Sequence, residues 1–403
     1  MAWRSLFFFA FVLHVAVIAT SCKAISCSRP RTQASLFIFG DSILDAGNNN
    51  YINTTVAQRA NFWPYGQTHF NFPTGRFCDG RLIGDFVAQY ANLPLIPPFL
   101  QPGAEYYDGA NFASGGAGAL DETFQQDQVI SLRTQLSNYM KVKDWLTRKL
   151  GSDGANSVLS NAVHLFSIGA NDYFTFATAN SAAPESQSRF FVGMVLGNFT
   201  RVIEEIYKIG GRKFAFINLP PVGCHPMART FESDNSDSCF EKLSLLTRMH
   251  NQAMPQLLVQ LRKKLQGFKY SLFDMNSEIH KRMENPAKYG LKHGKTACCG
   301  GGKYGEVYNC GGMGEEKEFN ICENPHEYMF WDAAHLTEIS YKQFAEQMWS
   351  GHDPLVVVGP YNLEKLFQLD VIESPLTTFV SSFQCQKQNK NSRPYVLLIN
   401  VNE

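Results

Sequence analysis

The chain has 403 residues, and its 36 Lys and Arg balance 36 Asp and Glu, so it offers no electrostatic footprint for a partner bound by neutralising phosphates. At 44% hydrophobic and 18% charged it has too much apolar side chain and too little net charge to stay unfolded, and length enough to bury a large core. Its 32 Phe and 16 Tyr suit such a core, with room left for an apolar pocket.

Residues 1–24 have the form of a secretory signal: Arg4 supplies a positive residue, Leu6 to Ile18 is almost wholly apolar, and small residues stand at −3 and −1 of a cleavage after Ala24. The apolar run falls short of the ~20 residues of a membrane span and contains His14, and no later stretch is apolar enough to cross a bilayer. A secreted protein in an oxidising compartment is expected. Asn53-Thr54-Thr55 and Asn198-Phe199-Thr200 are glycosylation acceptors consistent with that route. Loss of Cys22 with the signal leaves nine of the ten cysteines, an odd number that implies one free thiol. Cys298, Cys299, Cys310 and Cys322 do not have the paired spacing of structural zinc modules, so disulfides stapling a loop are expected. Cys224 and Cys239 close a short turn-rich segment and are the first candidate pair.

Further along, short apolar runs alternate with longer amphipathic stretches, the pattern of strands joined through helices into a parallel sheet. The strand candidates are Ser35 to Phe39, Ala110 to Ala113, Val163 to Ile168, Lys213 to Ile217 and Tyr270 to Phe273. Helices are expected over Leu82 to Tyr90, Ser131 to Leu150, Phe191 to Ile209, Lys242 to Leu265 and Glu338 to Trp349. Leu243, Leu246, Met249, Ala253, Leu257 and Leu261 mark the core face of the fourth, and Pro255 is expected to kink it. This order favours one α/β sandwich domain. Residues 370–403 read as a tail of unknown role outside it.

Several motifs are absent or fail. There is no G-x-S-x-G elbow and no HExxH. Gly290 to Thr296 has three residues between its glycines where a phosphate loop needs four, and reads as an ordinary loop. After Gly116 and Gly118, Asp121 stands where a dinucleotide fingerprint needs its third glycine. No nucleotide cofactor and no metal is expected.

The chemistry is carried elsewhere. Gly40-Asp41-Ser42 follows the first strand at its carboxyl end, where open α/β sheets place reactive groups; Gly40 would permit a sharp turn, and Ser42 in the first turn of a following helix would be a nucleophile or only a helix cap. A serine hydroxyl needs a base near neutral pH, and an imidazole base needs a carboxylate to fix its tautomer. Asp332-Ala333-Ala334-His335 supplies both from one turn. Asn111 to Gly118 and Ile168 to Asp172 end strand candidates on the same rim, and their Gly and Asn residues are either ordinary turn formers or donors for an oxyanion.

Taken in order, FGDSILDAGNNN, NFASGGAG, IGAND and DAAH resemble the four blocks of the plant GDSL esterase/lipases of the SGNH hydrolase superfamily. Trp63 to Gly66, Pro73 to Phe77, Leu219 to Cys224 and Ala297 to Gly300 agree with it, and the likeness runs over 33–369. It implies a three-layer α/β/α sandwich, flavodoxin-like, with a mostly parallel central sheet. It also implies Ser42 as nucleophile and first oxyanion donor, Gly115 as the second donor with Gly116 as the alternative, Asn171 as the third, His335 as base and Asp332 as its partner. Leu336 departs from the Pro that many members have after this histidine. A secreted, apoplastic, monomeric esterase/lipase acting on small-molecule or lipid acyl esters is the expected protein. A GDSL acyltransferase that replaces water by an alcohol would share every catalytic residue, and a catalytically silent extracellular defence or binding protein is the other alternative.

Overall fold

Every residue of the first four apolar runs, and all but the first of the fifth, is buried, and the five form strands β1 (Leu36–Gly40), β2 (Gly109–Asn111), β3 (Val163–Ser167), β4 (Lys213–Ile217) and β5 (Lys269–Phe273). The computed structural model describes residues 34–231, 238–313, 317–351 and 359–370. The signal and its cleavage site, Cys22, Cys27, Cys385 and all of the tail beyond Asp370 lie outside the described residues.

The strand order is β2-β1-β3-β4-β5 with all neighbours parallel, the doubly wound flavodoxin-like order, whose direction of winding reverses between β1 and β3. Side chains alternate across the sheet, and the two faces differ in kind. Phe37, Phe39, Phe112, Phe166, Phe214 and Phe216 share one core, in which the Phe166 ring lies 4.7 Å from Phe39 and 5.7 Å from Phe216. Leu36, Ile38, Leu165, Ala215 and Ile217 share the other. Each buried phenylalanine stabilises the fold by roughly 1.5–3 kcal/mol.

Helices cover both faces and complete three layers. α1 (Ile83–Tyr90), α6 (Met275–Glu284), α7 (Glu338–Ser350) and α8 (Leu363–Gln368) pack on the aliphatic face. α2 (Leu132–Asn161), α3 (Ala170–Ala179), α4 (Glu185–Ile209) and α5 (Glu241–Lys264) pack on the aromatic face. α3, α6 and α8 are additions to the expected set. They are only 10, 10 and 6 residues long, too short for a clear 3.6-residue period. α2 breaks after Leu150, as expected, because Gly151 takes a left-handed φ of 74°, yet a further helical piece continues and buries Ala155 and Leu159. α5 runs through Pro255 to Lys264, and its buried stripe follows Leu243, Leu246, His250, Met254, Leu258 and Leu261. Met249, Ala253 and Leu257 are half-buried beside it. A polar His250 is admitted to the core because its Nδ1 meets the Tyr173 hydroxyl at 2.8 Å.

β6 (His293–Ala297), expected as part of a loop, pairs with β9 (Tyr328–Phe330), while β7 (Cys299–Gly300) pairs with β8 (Asn320–Ile321). The disulfide Cys224–Cys239 forms as the sequence suggests, and Cys298–Cys322 and Cys299–Cys310 staple the cysteine-rich segment. Among the described cysteines, Cys78 is free and buried.

Within β3, His164 is fully buried, with Nδ1 3.1 Å from Lys213 O and Nε2 2.8 Å from the Tyr139 hydroxyl. A neutral ring donates through Nδ1 and accepts at Nε2. Burial lowers its pKa from 6.5 to about 4, so between these values the unfolded chain takes up a proton that the folded chain refuses, and stability falls as pH falls. On going from pH 7 to pH 4.5, His164→Gln is expected to lose about 2 kcal/mol less stability than the wild type. Urea unfolding at the two pH values checks this; parallel losses in both proteins would contradict it.

Candidate active site

The nucleophile segment begins where β1 ends. The side chain of Gln135 on α2 holds both backbone groups of Gly40, accepting its N–H at 2.9 Å and donating to its carbonyl at 2.8 Å. A Cβ at Gly40 would stand 2.4 Å from Ser167 O, so the close approach of β1 to β3 requires glycine there. The chain then makes one turn in place of the expected helix, with the N–H groups of Leu44 and Asp45 donating to Asp41 O at 3.1 and 3.0 Å. Ser42 sits half-buried in that turn.

Two hundred and ninety-three residues later in the sequence, His335 places Nε2 2.8 Å from Ser42 Oγ. Its Nδ1 lies 2.8 and 2.9 Å from the two carboxylate oxygens of Asp332. Asp332 is fully buried, and its Oδ1 also accepts the N–H groups of Ala334 and His335 at 2.9 and 2.7 Å. Burial pushes its carboxyl up, but the His335 ring, the Ala334 N–H and the Tyr65 hydroxyl outweigh that and hold it below the ordinary value. An ionised carboxylate on Nδ1 keeps the proton there and turns the Nε2 lone pair to the serine. The turn is closed by Trp331 N–H donating to His335 O at 2.8 Å, and Leu336, where many members of the resembled family have Pro, is buried in the aliphatic core.

Tyr65 completes the buried end, donating its hydroxyl to Asp332 Oδ2 at 2.7 Å. Sequence reasoning missed this role, because 267 residues separate the partners and no local spacing links them. Tyr65→Phe is expected to lower kcat by about tenfold with little change in KM, the scale of one hydrogen bond to a buried charge. Steady-state kinetics with a soluble ester checks it, and wild-type kcat in the variant would contradict it.

The oxyanion loop differs from expectation at one residue. Gly115 donates its N–H to Asp45 Oδ2 at 2.9 Å and its carbonyl accepts Asn49 Nδ2 at 3.0 Å, so that amide is committed to the scaffold. Gly116, at a left-handed φ of 78°, lines the cavity beside Ser42 in its place. Among the described residues, neither the Ser42 nor the Gly116 N–H has a protein acceptor. Asn171, the second residue of α3, lines the same cavity; its Nδ2 spends one hydrogen on Ala117 O at 2.9 Å and keeps the other.

Buried acids and amides build this loop. Asp45 accepts from Gly47, Asn48 and Gly115, and burial still pushes it up to about 6. Asn48 Nδ2 donates to Asn111 O and Ala113 O, both at 2.8 Å, and Ser114 Oγ donates to Asn49 Oδ1. The asparagine run thus ties the nucleophile turn to the glycine loop. Asp172 does the same from α3, accepting Ala119 and Leu120 N–H and the Thr123 hydroxyl.

These groups face a cavity of about 310 Å³ whose other walls include Phe77, Phe124, Phe174, Val222 and Met227. Such an apolar wall with a few convergent polar groups suits an acyl chain. Among the described residues no cluster of His, Cys, Asp and Glu is arranged to hold a metal. Asn53 is exposed in a loop, whereas Asn198 is half-buried within α4 with Thr200 Oγ1 donating to Leu196 O.

A family model described as GDSL-like Lipase/Acylhydrolase matches residues 36–348. GDSL esterase/lipase 5 of Arabidopsis thaliana is 52% identical, over 87% of this chain and 91% of the relative. A GDSL lipase of Tanacetum cinerariifolium is 46% identical over 88% and 93%. An Arabidopsis thaliana relative named inactive GDSL esterase/lipase-like protein 25 is 35% identical over 83% and 75%.

Proposed function

The chain belongs to the GDSL-like lipase/acylhydrolase family and is a carboxylic ester hydrolase, and on that premise we propose that it cleaves acyl esters through Ser42, His335 and Asp332. The observation that carries this reading is the 2.8 Å contact of Ser42 Oγ with His335 Nε2, whose ring is seated on a buried carboxylate through Nδ1. Similarity in this family extends to a protein named inactive, and the intact hydrogen-bonded chain from Asp332 through His335 to Ser42 supports activity here.

Ser42 Oγ attacks the ester carbonyl as His335 Nε2 takes its proton. The carbonyl oxygen becomes an oxyanion and is met by the Ser42 and Gly116 N–H groups and the free Asn171 amide hydrogen, each worth on the order of 3 kcal/mol in the transition state. His335 then protonates the departing alcohol, and water, deprotonated by the same nitrogen, releases the acid from the acyl-serine. Asp332 holds the imidazolium throughout.

The protein acts as a secreted monomer. The signal-like segment and three disulfides support export to an oxidising compartment, and one chain supplies all the catalytic groups. Asn53, exposed in a loop, suits glycosylation better than the helical Asn198. A fluorophosphonate probe should label Ser42 and block release of p-nitrophenol from an acyl ester. Absence of both label and hydrolysis would overturn the reading in favour of a silent binding protein. Transfer of the acyl group to added alcohol in preference to water would instead identify an acyltransferase.

A further inference from the structure

One charged group on the cavity wall has no task in the hydrolytic cycle. Asp127 is half-buried and lines the cavity together with Ser42, Gln58, Gly116 and Phe124. Its Oδ2 accepts Gln58 Nε2 at 3.0 Å. The Gln58 carboxamide lies in turn over Gly116, where a Cβ would stand 2.5 Å from Gln58 Oε1 and 3.1 Å from its Nε2. These two contacts put Gln58 and Asp127 beside the oxyanion glycine. The backbone is tied there too, since Asn49 Nδ2 donates to Gln58 O at 2.6 Å as well as to Gly115 O. The second carboxylate oxygen, Asp127 Oδ1, has no hydrogen-bond partner in the protein and is open to solvent. Among the described residues Asp127 has no ion-pair partner, and no lysine or arginine lines the cavity.

The loop holds this carboxylate in place. Asp127 N–H donates to Phe124 O at 3.0 Å within the single turn Gln125–Asp127, and Phe124 and Gln128 on either side of it take left-handed φ values of 46° and 56°. Residues with a Cβ seldom adopt that conformation, and where they do it commonly shapes a site. The chemistry then selects the ligand. A hydroxyl brought to Oδ1 would replace a water of similar hydrogen-bonding power and gain little. A positive charge gains more, because apolar walls lower the local dielectric and strengthen the attraction beyond its value in water. Phe124, on the same wall, adds an aromatic ring, a surface to which cations are drawn.

We propose that Asp127, oriented by Gln58, forms a subsite for a positively charged amine or ammonium group of the substrate, and so makes this hydrolase favour cationic esters over neutral ones of the same shape. The inference rests on the reading that the Ser42–His335 cavity is the ester-cleaving site.

The test compares kcat/KM for esters that carry a terminal trimethylammonium group with that for their tert-butyl isosteres. In one arm the group is on the acyl side of a p-nitrophenyl ester, and in the other it is on the alcohol side of a butyrate, in each case two or five methylenes from the ester. p-Nitrophenyl butyrate is the neutral control. The wild type is expected to prefer the cationic member of at least one pair by tenfold or more, and the arm in which this occurs identifies the part of the substrate that Asp127 reads. Raising the salt concentration should shrink that ratio, as it does for a charge pair open to solvent. Asp127→Asn, which keeps the shape and the acceptor for Gln58, should bring the ratio close to one while p-nitrophenyl butyrate is still cleaved within about threefold of the wild-type rate. Asp127→Lys should invert the preference, a result that a merely structural role would not give. A wild type that cleaves cationic and neutral members equally in both arms, or a ratio unmoved by Asp127→Asn and Asp127→Lys, overturns the inference and leaves the hydrolase reading standing. Failure to cleave any of these esters, p-nitrophenyl butyrate included, overturns both.

Discussion

Ser42→Ala is expected to reduce kcat on a soluble acyl ester by at least about 10⁴-fold, and His335→Ala by a similar factor, with both proteins folded. The reason is geometric. Oγ is the atom that forms the acyl bond, and His335 Nε2, 2.8 Å away, is the base positioned to take its proton. Ser42 lies on a half-buried turn, and removing its hydroxyl opens no core cavity. His335→Ala leaves Asp332 with two backbone N–H donors and the Tyr65 hydroxyl, so its buried charge keeps partners. Because the two residues act as one unit, the double variant should be no slower than the slower single variant. Release of p-nitrophenol, with thermal unfolding as the folding control, measures this. Wild-type turnover by the Ser42→Ala protein would remove the nucleophile assignment.

Asp332→Asn should cost about 10³–10⁴-fold in kcat while leaving a remainder above the uncatalysed rate. The amide has almost the shape of the carboxylate, so packing around this buried position is preserved. Its charge and half of its acceptor capacity are lost. Asp332 Oδ1 accepts three N–H groups and Oδ2 accepts Tyr65, demands that an asparagine cannot all meet. If the amide NH₂ faces Nδ1, the imidazole proton moves to Nε2 and points at the serine, which then has no base. The remainder comes from the oxyanion donors, which this substitution does not touch. Fluorophosphonate labelling should slow in the same proportion as hydrolysis. A variant within tenfold of wild type in both would show that His335 does not need this carboxylate.

Much of this molecule was legible from local pattern. The five apolar runs became the five sheet strands within one or two residues at each end, because a strand buried on both faces needs an unbroken apolar run and little else does. The three added helices were illegible for the opposite reason: a short helix has too few turns to display a period. In α5 the expected stripe drifted by about one residue, since a histidine satisfied by Tyr173 counts as core in the fold and as polar in a pattern. The blocks around Ser42 and Asn171 marked the candidate site because each stands just beyond a strand of the central sheet, where chain direction brings residues to one edge, and Asp332–His335 marked it by the spacing of a carboxylate and an imidazole within one turn. Gly115 is where pattern and structure part: its N–H serves Asp45, and neighbouring amides in a turn point in different directions.

The sequence by itself determined the alternation of strand and helix, the order of the strands' apolar runs, the Cys224–Cys239 pair and the residue types of a serine hydrolase. Tertiary structure alone decided which glycine amide is free, that Tyr65 reaches Asp332, and that Gly40 is required by the Ser167 carbonyl. The first group depends on interactions between neighbours in the chain, which spacing records. The second depends on distances between strands and loops far apart in sequence, set by the register and packing of the whole sheet, and no local pattern carries that information.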